Sequence, residues 1–315
     1  MKRSWLHQNK VKLSFCILFV CLLSGGVYIY SQINNFNDIT YRELERGRKS
    51  IKRENNISPL EDNVSILIMG EDNSETREGK YGKNARSDAL MLATINKEDA
   101  TVNLVSIPRD TRVYIPIKDK KDKIAHAHAF GGVDSTINTV ETFLDIPVDY
   151  YVKFNFDSFL NLIDTIGGID VDVPVTFSEQ DSQDQADAIH LEKGYQHLNG
   201  EQALALTRTR HIDNDFMRGQ RQQLVIEAIG KKLLTMNSVS KFNSILDKVS
   251  PHMSTNLTTT NIFSIAATLM GKSPIIKKQQ IKCSDTHING IYYAQPDIEN
   301  VQKISYDLKQ ILNQK

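Results

Sequence analysis

The sequence predicts an α/β protein: a three-layer α/β/α sandwich around a central mixed sheet, preceded by one transmembrane helix. Three observations carry that expectation. Short apolar runs of strand length recur between 64 and 107. Segments with apolar residues at helical spacing alternate with further short runs and dominate after Gly200. Strands interspersed with helices argue helices layered on a sheet. An uncharged apolar run stands apart at 13–30.

That run, LSFCILFVCLLSGGVYIY, follows Lys2, Arg3, Lys10 and Lys12. About 18 apolar residues are just enough to cross a bilayer. Basic residues favour the cytoplasmic side. Residues 1–12 are therefore expected in the cytoplasm, 13–30 as an anchor in the cell membrane, and everything after Tyr30 outside. A cleaved signal peptide is the competing reading, because Ser24-Gly25-Gly26 offers small residues. The apolar run continues past that point to Tyr30, which favours an uncleaved anchor. Cys16 and Cys21 fall in the anchor and Cys283 stands alone outside it. The exported part then has no intrachain disulfide to form, which suits a Gram-positive bacterium.

Residues 31–62 are polar and charge-mixed and read as a linker or juxtamembrane helix, with 63–315 as one extracytoplasmic domain. VSILIMG, ALMLATI and TVNLVSI have the form of buried strands. Val133, Ile137, Val140 and Leu144 lie at helical spacing. DYYVKFNF reads as a strand, FDSFLNLIDTIGG as a helix stopped by glycine, and IDVDV as a further strand. Helices are expected at 200–207, 216–235, 238–249 and 257–270. PIIKKQQIK and GIYYA read as late strands, and 297–313 as a closing helix.

The chain has 38 basic and 38 acidic residues, a formal net charge of zero. That excludes the broad basic footprint of a nucleic-acid binder, so any anion site must be local. Charge does gather locally. Glu71 and Asp72 follow the first strand, Arg86 and Asp88 precede the second, and Arg109 and Asp110 follow the third. If the second and third strands form a hairpin, these groups share one rim of the sheet, where open α/β sheets bind ligands. TRTRHIDNDFMRGQRQQ then holds Arg208, Arg210, Arg218 and Arg221. Arg218 and Arg221 share a face in the first turns of a helix capped by Asp213 or Asp215. Cations are mildly unfavourable at that end, by about 0.3–1 kcal/mol each, unless an anion sits there. Surface pairing of these arginines with Asp is the alternative.

GED, RSDALML, SIPRDT, KIAHAHAFGG, DYYVKFNF, IGGIDVDV, LNGEQALALTRTRH and RGQRQQ occur in this order between Gly70 and Gln223. Together they resemble the extracytoplasmic domain of the LytR-CpsA-Psr family. The resemblance implies a transferase that moves an anionic glycopolymer, wall teichoic acid or capsular polysaccharide, from polyprenyl pyrophosphate to peptidoglycan. The C6 hydroxyl of N-acetylmuramic acid is the implied acceptor. It further implies Mg²⁺, or Mn²⁺, on Asp72 and Asp88. Asp88, Arg109, Arg208, Arg210 and Arg218 take catalytic roles by resemblance; Arg86, Lys123, Arg221 and Gln222 bind substrate. Such chemistry is mostly positioning and electrostatics. Planar arginine forks suit it better than lysine, and Mg²⁺ takes only one or two carboxylates. Asp88 and Asp110 both remain open as the base, and helices 133–144 and 156–166 as walls of a lipid slot.

Two departures stand out. Ala125 replaces a usual asparagine, and NSETREGKYGKN lengthens the spacing between Asp72 and Asp88. His126 and His128 lack further ligands at zinc spacing. Two other functions fit the same residues: a membrane-tethered regulator that holds polyprenyl phosphates, and a polyprenyl-pyrophosphate hydrolase. From the dipole argument, Arg218→Ala and Arg221→Ala should each abolish turnover and leave the fold as stable as before.

Overall fold

The computed structural model describes residues 34–71, 87–235, 244–245, 247–270 and 272–313. The expected anchor at 13–30 and cytoplasmic segment 1–12 lie outside these residues, as do Asp72 and Arg86. Among the described residues no helix is long and apolar enough to cross a membrane.

The strands are β1 (Val64–Glu71), β2 (Ser87–Ile95), β3 (Val102–Ser106), β4 (Arg112–Ile115) and β5 (Lys120–Lys123). They continue with β6 (Tyr150–Phe154), β7 (Ile169–Val173), β8 (Phe177–Glu179), β9 (Ile189–Leu191) and β10 (Gly194–Leu198). The last are β11 (Met253–Thr255), β12 (Ile276–Gln280), β13 (Cys283–Ile288) and β14 (Ile291–Pro296). Six form the central sheet in the order β11-β6-β1-β2-β3-β12. β1 runs antiparallel to β2 and parallel to β6, and β3 parallel to β12, so the sheet is mixed as expected. Besides short helical stretches at 34–40 and 247–249, the helices are α1 (His126–Leu144), α2 (Phe156–Ile166), α3 (Gly200–Arg208), α4 (Asp215–Leu234), α5 (Thr259–Leu269) and α6 (Ile298–Ile311).

Strand side chains alternate between faces, and here the alternation separates two environments. Leu67 and Met69 of β1, with Leu90 and Leu92 of β2, pack on one face against Ile137, Val140 and Leu144 of α1 and Ile304 and Leu308 of α6. Ile66, Met91, Ala93 and Ile95 point the other way, toward Ile226 of α4 and Ile262 and Ile265 of α5. Behind β6 a further core joins α2, α3 and α4 to β7, β8, β9 and β10. Gly131 and Gly132 break the helical backbone inside α1, so the expected helix at 133–144 is its second part.

Helix α4 lies close against the edge of the sheet. A Cβ on Gly219 would stand 2.7 Å from Gln280 Nε2 and 2.8 Å from Ser106 Oγ, so glycine permits the approach. One turn on, Gln223 Nε2 donates to the carbonyls of Leu104 and Gln279 at 3.1 and 2.6 Å. These contacts fix which face of α4 looks along the sheet.

The linker reading of 31–62 needs correction. Phe36 and Leu44 are buried. Arg53 is buried too, and its Nε and Nη2 donate to the two Asp149 carboxylate oxygens at 2.8 and 2.6 Å. Asp149 also accepts from Ser65 N at 2.9 Å. A charge so buried must be paired, and its partner lies in the domain. Residues from Phe36 onward therefore pack with the domain. Hairpins β4–β5 and β8–β9 are additions to the sequence reading, and β13 joins the strand expected at GIYYA. Strands such as KKDK and FSE are too short and polar to show a period.

Candidate functional site

A cavity of about 470 Å³ lies between the sheet and helices α2, α3 and α4. β1 and β2 give it Ile68, Gly70, Ala89 and Met91. Gly70 and Ala89 face each other in register, and a Cβ on Gly70 would stand 3.2 Å from that of Ala89. Small residues here leave the space open. Phe154, Phe156 and Phe159 close one side, and Phe154 and Phe159 stack with centroids 6.0 Å apart.

The cavity grades from charge to apolar surface. Arg218, Gln222, Val225 and Ile226 of α4 all line it and fall on one helical stripe running away from the helix start. Glu71 and Gly70 lead to Ile68 along β1 in the same way. Because β1, β2 and β3 are antiparallel neighbours, the end of β1, the start of β2 and the end of β3 share one rim. Arg109 enters from that rim, just past β3, while Arg208 and Arg210 come from the end of α3. Asn199 caps α3 with a reciprocal bond to Gln202, as its sequence suggests.

Arg109, Arg208, Arg210, Arg218 and Gln222 are thus brought together. Asp215 holds two of the cavity's arginines: its carboxylate lies 2.9 Å from Arg210 Nη2 and 3.1 Å from Arg218 Nη2. Arg208 donates to the Asp181 carbonyl at 3.0 Å and lies 5.3 Å over the Phe156 ring. Gln222 donates to the Thr207 carbonyl at 3.3 Å.

Arg221 does not line the cavity. It is 1% exposed, and its Nη1 and Nη2 grip Asp213 at 2.5 and 3.0 Å. Its Nη2 and Nε also donate to the carbonyls of Thr209 and Leu206 at 2.7 and 3.2 Å. It therefore ties the segment carrying Arg208 and Arg210 to α4. Asp213 is spent on this bond, and Asn214, not Asp213 or Asp215, is the N-cap of α4. Lys123 also stands off the cavity, with Nζ 2.8 Å from Asp110. It lies over the rings of Tyr292 and Tyr293. Helix α1, offered as a lipid wall, belongs to the closed face; α2 supplies Phe156 and Phe159.

Two carboxyls at the rim are held ionised. Burial would raise Asp110, but the bond to Lys123 and the charges of Lys123, Arg109 and Arg210 outweigh it, and its pKa is lowered. Burial opposes the charge of Glu71 as well, and His128 and Lys153 overcome it. His128 Nε2 and Lys153 Nζ lie 2.9 and 3.1 Å from Glu71 Oε1. Glu71 lines the cavity. It was legible in the GED stretch as a charge at a strand end, but the resemblance drew attention to Asp72.

Asp72, Arg86 and the Asp88 side chain lie outside the described residues. The backbone of Asp88 is informative: Gly70 pairs with Ala89 and Glu71 with Ser87, so Asp88 is the extra residue of a bulge at the rim. Bulges re-aim side chains and recur beside active sites. Among the described residues no group of three or more His, Cys, Asp or Glu is arranged around a metal. An Mg²⁺ held by one or two carboxylates and substrate phosphates needs no such group.

Known proteins share this sequence pattern and fold. The model of the LytR_cpsA_psr family matches residues 27–310. A Bacillus subtilis relative named polyisoprenyl-teichoic acid–peptidoglycan teichoic acid transferase TagU is 40% identical over 299 residues, covering 94% of each chain. A solved structure described as TagT bound to LIIa-WTA superposes with a TM-score of 0.74 at 34% identity, covering 86% of this chain and 99% of that one. Another, of YwtF (TagT) with bound octaprenyl pyrophosphate lipid, gives 0.69 at 33% identity over 86% and 99%. The chain belongs to the LytR_cpsA_psr family.

Proposed function

We propose that this protein transfers an anionic glycopolymer, wall teichoic acid or capsular polysaccharide, from a polyprenyl-pyrophosphate carrier to peptidoglycan. The acceptor is the C6 hydroxyl of N-acetylmuramic acid. Residues 13–30 anchor the chain, with the domain outside the cell. One observation carries the reading: a single cavity runs from four arginines to a slot of Ile, Met, Val and Phe. Pyrophosphate joined to a prenyl chain has that same gradient. A relative bound to octaprenyl pyrophosphate lipid supports it, as do relatives named as teichoic acid transferases.

On this reading the acceptor oxygen forms a new bond to the glycan-linked phosphorus. The bond from that phosphorus to the bridging oxygen breaks, and polyprenyl phosphate leaves with that oxygen. The hydroxyl proton passes to a carboxylate at the rim, Asp110 or Asp88. Arg109, Arg208, Arg210 and Arg218 orient the two phosphoryl groups and stabilise the charge that grows on the leaving phosphate. Mg²⁺ or Mn²⁺ on Asp88 and Asp72 would, when bound, neutralise further phosphate charge. Arg86 would bind substrate, as the family resemblance implies.

The test is incubation of the purified chain with lipid-linked glycopolymer, Mg²⁺ and peptidoglycan oligomers, followed by mass analysis. The reading expects a glycan–peptidoglycan adduct joined through phosphate. Free glycan phosphate alone would make the protein a hydrolase, and unchanged substrate a binding protein.

A further inference from the structure

A second cavity, about 460 Å³, shares Arg210 with the first. Its walls come from two places. The start of α4 gives Asp215 and Phe216, and hairpin β13–β14 gives Asp285 and Tyr292. That hairpin is docked on the segment carrying Arg109 and Asp110: Ala294 N donates to the Asp110 carbonyl at 2.9 Å, and Ala294 pairs with Thr111. The second cavity therefore reaches the same rim as the first and meets it at Arg210.

Its chemistry differs from that of the first cavity. Phe216 is 40% exposed, so an aromatic ring is available at the wall. Tyr292 donates its hydroxyl to Asp285 at 2.8 Å. Burial, then this bond, then the charges of Asp285, Asp110 and Asp215 push the Tyr292 phenol up, which keeps it neutral. Carboxylates beside aromatic rings suit hydroxyl and amide groups on a ring with apolar faces. They disfavour phosphate, and the aliphatic lining that a prenyl chain needs is sparse here.

We propose that this second cavity is the acceptor subsite, holding an amino-sugar oligosaccharide of the peptidoglycan glycan strand. Asp285 accepts from its hydroxyl or amide groups, and Phe216 covers a sugar face. The reacting hydroxyl then points past Arg210 toward a pyrophosphate in the first cavity. The proposal rests on the transferase reading and specifies where its second substrate enters.

The test measures two bindings separately on the full chain in detergent: octaprenyl pyrophosphate, and an uncrosslinked peptidoglycan tetrasaccharide added to the lipid-loaded protein. Wild type should bind the tetrasaccharide saturably by ligand-observed NMR. D285N and F216A should each weaken that binding about tenfold or more, as expected for a lost charged hydrogen bond or stacking face. Their affinity for octaprenyl pyrophosphate should stay within about twofold, since neither residue lines the first cavity. Tetrasaccharide binding that is absent in wild type, or unchanged in both variants, overturns the subsite while leaving the donor reading intact. Failure of wild type to bind octaprenyl pyrophosphate contradicts the donor reading instead.

Discussion

The two faces of the central sheet are built from the same strands and serve different ends. On one, Leu67, Met69, Leu90 and Leu92 are all buried beneath α1 and α6. Each such side chain contributes about 1.5–3 kcal/mol when fully buried. On the other, the neighbouring positions Gly70 and Ala89 are small, and the sheet meets α4 across open space. Alternation lets one strand fill a core and hollow a site within a few residues. The same division recurs within α4. Arg218 faces the cavity, while Arg221, three residues on, is locked among Asp213, Thr209 and Leu206. One arginine of the pair lines the cavity and the other holds its wall together.

That contrast is most sharply tested at Arg218. R218A should lower transfer about a hundredfold or more, the 3–4 kcal/mol typical of losing one donor to growing transition-state charge. Its melting temperature should move by no more than about 2 °C, because Asp215 keeps Arg210 and an unfavourable charge leaves the helix start. Equal losses of rate and stability would erase the distinction between the two arginines.

R221A should do the reverse of what sequence alone suggested. Removing a buried guanidinium strands Asp213 and two carbonyls, at a cost of about 3 kcal/mol. For a domain of this size the melting temperature should fall by about 5–10 °C. Any loss of transfer should be largely recovered on cooling. A variant as stable as wild type would show that Arg221 is not the tie between α3 and α4.

A89L tests the hollow face. The larger side chain would enter the cavity beside Gly70. Affinity for octaprenyl pyrophosphate should drop about tenfold, with stability changed by less than about 1 kcal/mol, because space and not packing is being filled. Undiminished lipid affinity would place the prenyl chain elsewhere.

The smallest expected effect is on pH dependence. Glu71 and Asp110 have ordinary values of 4.5 and 3.8, and both are lowered in the folded chain. The unfolded chain therefore takes up their protons first as pH falls. The stability they lend is full above about pH 5 and is lost as pH falls through the lowered folded values. Melting temperature should decline on that acid limb, and E71Q should make the decline shallower. An identical acid limb in E71Q would remove Glu71 from this account.

Much of this was readable from the chain. The three apolar runs, the helix at 133–144 and the arginine-rich stretch each carry a strong period or a charge signal, so sheet and rim followed. Hidden were facts that depend on distant partners. Arg53 reads as a linker charge until Asp149 lies beside it. Arg218 and Arg221 are alike in sequence, and only the close approach of α4 through Gly219 decides which faces inward. Tyr292 lies in the strand expected at GIYYA, but its partner strand with Asp285 is polar and has no period to announce it. Glu71 needed His128 and Lys153 on one carboxylate before it could be told from its neighbour Asp72.

The central claim is that the charged mouth of the first cavity recognises pyrophosphate and its hollow receives the lipid. Titrating the full chain in detergent with octaprenyl pyrophosphate and, separately, octaprenyl monophosphate tests it directly. Wild type should prefer the pyrophosphate by about tenfold or more, the second phosphoryl group gaining charge-assisted bonds to arginine. R218A should lose most of that preference while still binding both lipids through the apolar slot. Equal affinity of wild type for the two lipids, or a preference untouched in R218A, would contradict the account.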